Sequence, residues 1–276
     1  MTIPRRLEHL LIRETADAYH AQSGTYLSSH LLAMFRRCPQ QYHWKRQGLI
    51  ADEDRPAYLI GRALHTLVLE GRETYQSSFA VGGPINPKTN QPFGVATKAF
   101  CEWAEAQGKP VLTSEQASDI QQMAKAIASH DTAKKLLAHG TAEGVVRCDY
   151  QGRNSQIRLD FLGSCREPAI GIVDIKTCDD LTWFEADARR YGYAHQMAFY
   201  RAVLAQAAKG SPLDIPVHLI AVEKKAPFRC GVWRIAEDVL GIAQRENESA
   251  IEHLKHCEQN NHWPTGYEEL RAFDWI

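Results

Sequence analysis

Two charged side chains end an apolar, β-branched stretch that runs from Gly171 to Thr177. Asp174 and Lys176 are two positions apart, and side chains alternate faces along a strand, so we expect both to point the same way. A carboxylate and an ammonium group at the end of an apolar strand are costly to desolvate unless they pair with each other or bind a metal. An Asp-x-Lys triplet by itself also fits an ordinary surface salt bridge.

A second candidate carboxylate, Asp160, ends another predicted strand fourteen residues before Asp174. Magnesium prefers oxygen ligands, which Asp160, Asp174 and the backbone carbonyl of Ile175 could supply. Lys176 could orient the attacking water and neutralise charge on a phosphate beside such a cation. Glu143, early in the strand before these, could add a further carboxylate. The spacing of two aspartates and a lysine therefore indicates a nuclease that depends on a divalent metal.

The elements that must position these residues change character along the chain. Residues 1–140 predict a mainly helical part with a loop at residues 80–95, which are rich in glycine, proline and asparagine. Residues 141–258 predict the order β-β-β-α-β-β-α, with one long helix over residues 182–209, and residues 259–276 a tail. We therefore predict a single α/β domain over residues 1–276.

Composition limits the partners and the compartment. The net charge is −1 and the pI is near 6.9, so DNA binding would need local positive charge. The seven cysteines are odd in number and show no C-x-x-C pair, which favours reduced thiols in a cytoplasmic protein. The iron–sulfur cluster of some nucleases needs one early cysteine and three late, closely spaced ones. Only Cys257 follows Cys230, so we expect no iron–sulfur cluster. The sequence shows no signal peptide and no apolar run of membrane-spanning length, so we expect no membrane partner.

Four basic side chains lie on two predicted helices before the strands. Arg36 and Arg37 precede Pro39, where they could stabilise the end of a helix or hold a DNA phosphate. On the next helix, Arg62 is a third candidate for phosphate, because planar guanidinium groups bind phosphate with two hydrogen bonds. His65 lies beside the apolar face of that helix. A lone histidine there is more often a core residue than a metal ligand.

The motifs occur in an order that resembles the RecB-type branch of the PD-(D/E)xK nuclease superfamily. The resembling positions are Gly-x-x-x-His at Gly61 and His65, the strand-end Asp160, Asp-x-Lys at Asp174 and Lys176, and Gln-x-x-x-Tyr at Gln196 and Tyr200. The resemblance implies a restriction-endonuclease-like core, with a mixed central β-sheet flanked by helices and a helical N-terminal region.

The same resemblance implies a role for each motif. His65 would be a metal ligand with Asp160, Asp174 and the carbonyl of Ile175, and the metal would be Mg²⁺, for which Mn²⁺ can substitute. The glutamine and tyrosine of the last motif would contact the metal site or the DNA backbone. Both also fit as polar residues on a partly buried helix.

Within that branch the chain is most similar to the phage-type RecE (exonuclease VIII) group, in residues 27–39 and 92–100. This similarity implies 5′→3′ digestion of linear double-stranded DNA from its ends. It also implies a ring-shaped homo-oligomer and a single-strand annealing protein as partner in recombination. Asp174 departs from the glutamate of lambda exonuclease, which affects the subgroup rather than the chemistry.

Two alternatives remain. One is a CRISPR-associated or helicase-associated nuclease that acts on single strands, or an endonuclease. The other is an inactive DNA-binding module, against which the intact Asp160, Asp174 and Lys176 argue.

Overall fold

Helices form most of the first half of the chain and one five-stranded sheet lies in the second half. The structure, a computed structural model, describes residues 7–51, 56–164 and 169–272. The α-helices are α1 (Ala16–Ala21), α2 (Ser29–Arg37), α3 (Pro39–Arg46), α4 (Pro56–His65), α5 (Arg72–Ser78), α6 (Lys98–Ala106), α7 (Ser114–Ser129), α8 (Asp131–Leu136), α9 (Phe184–Tyr191), α10 (Tyr193–Ala208) and α11 (Glu237–Asn260). The strands are β1 (Ala80–Val81), β2 (Ile85–Asn86), β3 (Gln91–Pro92), β4 (Val111–Leu112), β5 (Gly140–Tyr150), β6 (Arg153–Gly163), β7 (Ile172–Cys178), β8 (Val217–Glu223) and β9 (Cys230–Arg234).

The main sheet has the order β5-β6-β7-β8-β9. Its neighbours are antiparallel except β7 and β8, which are parallel and pair from Ile172–Val217 to Cys178–Glu223. A parallel pair needs a long crossover, and α9 and α10 provide it. The predicted fold class, a mixed central sheet flanked by helices, is confirmed.

Helices cover both faces of this sheet, because its strands are apolar on both faces. One face, which includes Val146 and Leu159, packs against α10, and α2 and α11 pack against α10 in the same apolar cluster. The other, which includes Val173 and Ile175, packs against α4 and α7. Helix α10 lies between the sheet and its neighbouring helices and is buried on most of its surface.

The predicted continuous helix over residues 182–209 is wrong. Gly192 has φ 71° and ψ 35°, a left-handed conformation that ends α9 and lets α10 start in a new direction. A short 3₁₀ turn, Leu181–Trp183, precedes α9. The break lies beside the candidate site described below.

Two segments of the first half also deviate from simple expectation. Helix α4 continues into a π-helical segment, Thr66–Glu70, which ends at Gly71. The predicted loop at residues 80–95 contains the small antiparallel pair β2–β3. In the part of the chain that the structure describes, no helix is both long enough and apolar enough to cross a bilayer.

Candidate active site between strands β6 and β7

Asp160 lies within β6, where β6 and β7 separate; the prediction that it ends its strand is wrong, because β6 continues to Gly163. The ladder between these strands pairs only residues 161–162 with residues 172–173. Past that point the Asp160 carboxylate accepts a hydrogen bond from the backbone N–H of Ile175, at 2.8 Å. The side chain takes the place of a backbone carbonyl in the ladder, and this bond orients the carboxylate towards the gap between the strands.

Glu143 lies opposite Asp160 on β5. The pairs on either side join residue 142 to 161 and residue 144 to 159, so Glu143 and Asp160 face each other. Glu143 has φ 56°, a left-handed conformation that non-glycine residues rarely adopt and that is frequent at functional sites. Burial, followed by the nearby charge of Asp160, raises the pKa of Glu143 to about 7.

Helix α4 brings His65 to the same place. Its Nε2 lies 2.8 Å from the carbonyl oxygen of Ile175, and its Nδ1 lies 3.6 Å from Oδ2 of Asp160. One ligand atom each from His65, Glu143 and Asp160 lie within 4.8 Å of one another. An imidazole nitrogen, two carboxylates and a nearby carbonyl form a donor set that fits a divalent cation such as Mg²⁺ or Mn²⁺.

Asp174 and Lys176 form an ion pair next to this group. Nζ of Lys176 lies 2.7 Å from Oδ2 of Asp174, which is only 2% exposed. Burial raises the pKa of Asp174, and the adjacent ammonium group opposes this shift. Burial would lower the pKa of Lys176, but the charges of Asp174 and Asp160 outweigh it and raise that pKa. Lys176 is therefore held as an ammonium ion.

Helix α10 orients this ammonium group. Lys176 donates to Oε1 of Gln196 at 3.1 Å and lies 4.9 Å from the ring centre of Tyr193. Gln196 in turn donates from Nε2 to the hydroxyl of Tyr200 at 3.2 Å. Tyr200 is buried, and burial raises its pKa, so the phenol stays neutral. Gln196 and Tyr200 thus form a chain of contacts that leads to Lys176.

The structure brings most of the predicted residues together, in a different grouping. The prediction placed Asp174 among the metal ligands and left Glu143 as an additional carboxylate. In the described residues, Glu143 belongs to the close group with His65 and Asp160. Asp174 is engaged with Lys176.

The predicted DNA-binding arginines lie on two helices. Arg36 donates to Oδ1 of Asn247 at 3.1 Å, and Arg37 donates to Oε1 of Gln41 at 3.3 Å. Arg62 is exposed on α4, three positions before His65. Since α2 and α4 cover opposite faces of the sheet, the three arginines do not lie on one helical surface.

Sequence reasoning missed two residues of the site. Arg158 pairs with Oε2 of Glu143 at 2.8 Å, and Tyr193 packs against Lys176. Arg158 precedes Asp160 by two positions on one strand, and this alternation was a usable signal. Tyr193 had no such signal, because its place depends on the break at Gly192.

A mixed sheet that carries aspartates and a lysine on two adjacent strands defines the PDDEXK-like class of nuclease folds. The chain belongs to the family described as PDDEXK-like domain of unknown function (DUF3799), whose model matches residues 28–274. It is also similar to a solved structure from Eubacterium rectale described as a "putative exonuclease", with 15% identity and a TM-score of 0.64. That similarity covers 96% of this chain and 97% of the other. A comparison with curated proteins found no significant match.

Proposed function

We propose that this protein is an exodeoxyribonuclease that uses Mg²⁺, or Mn²⁺ in its place, to hydrolyse linear double-stranded DNA from its ends. The observation that carries the proposal is the close group of His65, Glu143 and Asp160 beside the buried pair of Asp174 and Lys176. We propose further that residues 1–276 form one nuclease domain and act in the cytoplasm.

The chemistry follows from what each side chain can do at a phosphodiester. His65, Glu143, Asp160 and the carbonyl of Ile175 would hold the divalent cation. When bound, it supplies charge neutralisation and Lewis acidity towards phosphate and water. Lys176 places a positive charge where the phosphate gains negative charge in the transition state. Asp174 and Gln196 keep that ammonium group charged and oriented.

The proposed preference for DNA ends rests on Arg36. Its guanidinium group is half-buried beside a cavity of about 150 Å³ that Gln196 also lines. Burial lowers the pKa of Arg36 and the carboxylate of Glu246 opposes that shift. A partly buried guanidinium group suits a terminal 5′-phosphate, which carries more charge than an internal phosphate. Arg37 and Arg62 would contact backbone phosphates further along.

The proposed direction of DNA digestion and the proposed partners rest on the family resemblance. The similarity to the RecE group supports 5′→3′ resection, a ring-shaped homo-oligomer and a single-strand annealing partner in recombination. The "putative exonuclease" neighbour supports an exonuclease over an endonuclease. The competing candidates are a nuclease specific for single strands, an endonuclease, and an inactive DNA-binding module.

The deciding experiment compares linear duplex DNA, labelled at either end, with a covalently closed circle. We expect Mg²⁺ or Mn²⁺ to support loss of the linear DNA alone, with labelled mononucleotides released first from the 5′ end, and EDTA to stop the reaction. Cutting of the closed circle would identify an endonuclease. No cleavage of either substrate with either metal would favour the inactive module.

Replacing His65 tests the cation site. His65→Ala removes one ligand, so we expect the Mg²⁺ concentration for half-maximal cleavage to rise by at least about tenfold, the scale seen when only the outer hydrogen-bond partners of metal ligands are lost. Mn²⁺ binding, measured by calorimetry without DNA, should weaken in parallel. His139 is exposed and serves as a matched control, since His139→Ala removes an imidazole outside the site. An unchanged metal requirement in His65→Ala would return His65 to a structural role.

A further inference from the structure

Tyr191 presents an exposed aromatic ring close to the candidate active site. It is the last residue of α9 and is 59% exposed. The left-handed Gly192 follows it, so Tyr191 ends one helix and Tyr193 begins the next. Exposure of an aromatic ring of this size to water is unfavourable, and a partner with a flat apolar face would cover it.

Two ring contacts connect Tyr191 to Lys176. The rings of Tyr191 and Tyr193 have centroids 6.0 Å apart and planes inclined by 31°. Tyr193 in turn packs against the Lys176 ammonium group, 4.9 Å from its ring centre, and against Phe184. Phe184 and Lys176 thereby fix the position of the Tyr193 ring. Tyr191 is separated by that one ring from Lys176, the residue that would face the reacting phosphate.

Two arginines lie near the same place. Tyr191 and Tyr193 line the cavity of about 150 Å³ together with Arg36. Asn247 is buried and supports the cavity wall, accepting from Arg36 at 3.1 Å and donating to the carbonyl of His195 at 2.8 Å. Outside the cavity, the guanidinium group of Arg190 lies 5.6 Å from the Tyr191 ring centre.

Exposed aromatic rings next to cationic groups that follow a backbone are the recurring feature of single-strand nucleic-acid sites. We propose that Tyr191 stacks on an unpaired nucleobase of the cleaved strand, beside the phosphate that would lie at Lys176. This inference rests on the proposed nuclease function and specifies its substrate. Both faces of a base inside a duplex are occupied by its neighbours, so such a base must leave the duplex before it can stack on Tyr191.

Binding without cleavage tests the stacking directly. Fluorescently labelled oligonucleotides, each with one abasic nucleotide at a successive position from the 5′ end, are titrated with the wild-type chain in EDTA. We expect one position near the end to weaken binding by about tenfold, within the range of one base–aromatic stack. Tyr191→Ala should bind intact DNA about as weakly and should no longer respond to the abasic nucleotide at that position.

Two variants separate stacking from a general loss of aromatic surface. Tyr191→Phe keeps the ring and should retain both the affinity and the abasic response. Tyr267 is also highly exposed but lies in the C-terminal segment, so Tyr267→Ala should bind like the wild type.

Cleavage rates give a second measurement. A mismatched terminal base pair should speed cleavage relative to a G·C pair in the wild type, because opening the end costs less, and should lower KM more than it changes kcat. The advantage should disappear in Tyr191→Ala. Equal affinity and an unchanged mismatch effect in Tyr191→Ala, with normal cleavage by the wild type, would overturn the stacking alone. A wild-type chain that neither binds nor cleaves DNA would remove the proposed function and this inference together.

Discussion

Asp174→Asn is expected to lower the rate of DNA cleavage by at least about 10²–10³-fold, the cost of removing one preorganised group from a reaction centre. The asparagine has almost the same shape but loses the charge that pairs with Lys176 at 2.7 Å. Lys176 would then keep Gln196, the ring of Tyr193 and the more distant charge of Asp160, so its ammonium group would be less firmly held. Single-turnover cleavage of linear duplex DNA at saturating Mg²⁺ measures this effect.

Stability must be separated from catalysis in this variant, because an unpaired buried charge destabilises the fold. We expect Asp174→Asn to lower the free energy of unfolding by about 3 kcal/mol, the lower end for breaking a buried ion pair. The double variant with Lys176→Met leaves no unpaired charge and should recover most of that loss, since an apolar replacement for a buried pair is often neutral.

The double variant should nevertheless remain inactive. Loss of activity with recovered stability would assign Asp174 and Lys176 to the reaction. Near-wild-type cleavage by Asp174→Asn would instead show that the pair has a structural role in the core and no catalytic role.

Gly171→Ala is expected to destabilise the fold strongly, although it adds only one methyl group. Gly171 has φ 67°, and an added Cβ would lie 2.1 Å from the carbonyl oxygen of Pro216. That same oxygen accepts the N–H of Ile172 at 2.9 Å, so it cannot move without breaking the start of the β7–β8 pairing. Backbone strain of about 1–3 kcal/mol and steric displacement of about 1–3 kcal/mol together predict a loss of about 2–6 kcal/mol.

Guanidinium-induced unfolding measures this loss as a lower midpoint. Gly24 offers a matched control, because its φ is not in the left-handed region and an added Cβ would meet nothing within 4 Å. Gly24→Ala should change stability by less than about 1 kcal/mol. Equal midpoints for the two variants would show that the β7–β8 junction tolerates a side chain.

How much of the site could be predicted depended on the distance over which each signal acts. Asp174 and Lys176 share one strand, so alternation alone placed them on one face. The structure gives them a 2.7 Å contact. The order of strands and helices followed from the same kind of local signal, whereas the mixed sheet flanked by helices was implied by the family resemblance. The metal, the DNA and the partners remain proposals that rest on resemblance and on the donor set.

The break at Gly192 shows where local reasoning failed. Glycine is tolerated inside helices, so the sequence did not distinguish a helical glycine from one with a positive φ. The difference matters because the break separates Tyr191 from Tyr193 and exposes the first ring while the second contacts Lys176.

By itself, the sequence determined the pair of strands that carry Asp160 and Asp174, because the apolar residues of a buried strand and its charged positions lie within a few residues of one another. Tertiary structure alone decided that Glu143 faces Asp160 and that His65 reaches the carbonyl of Ile175, 110 residues further along the chain. These meetings depend on the register of β5 with β6 and on the packing of α4 against the sheet. Neither leaves a periodic signal, since both are set by which apolar surfaces bury each other best once the chain has folded.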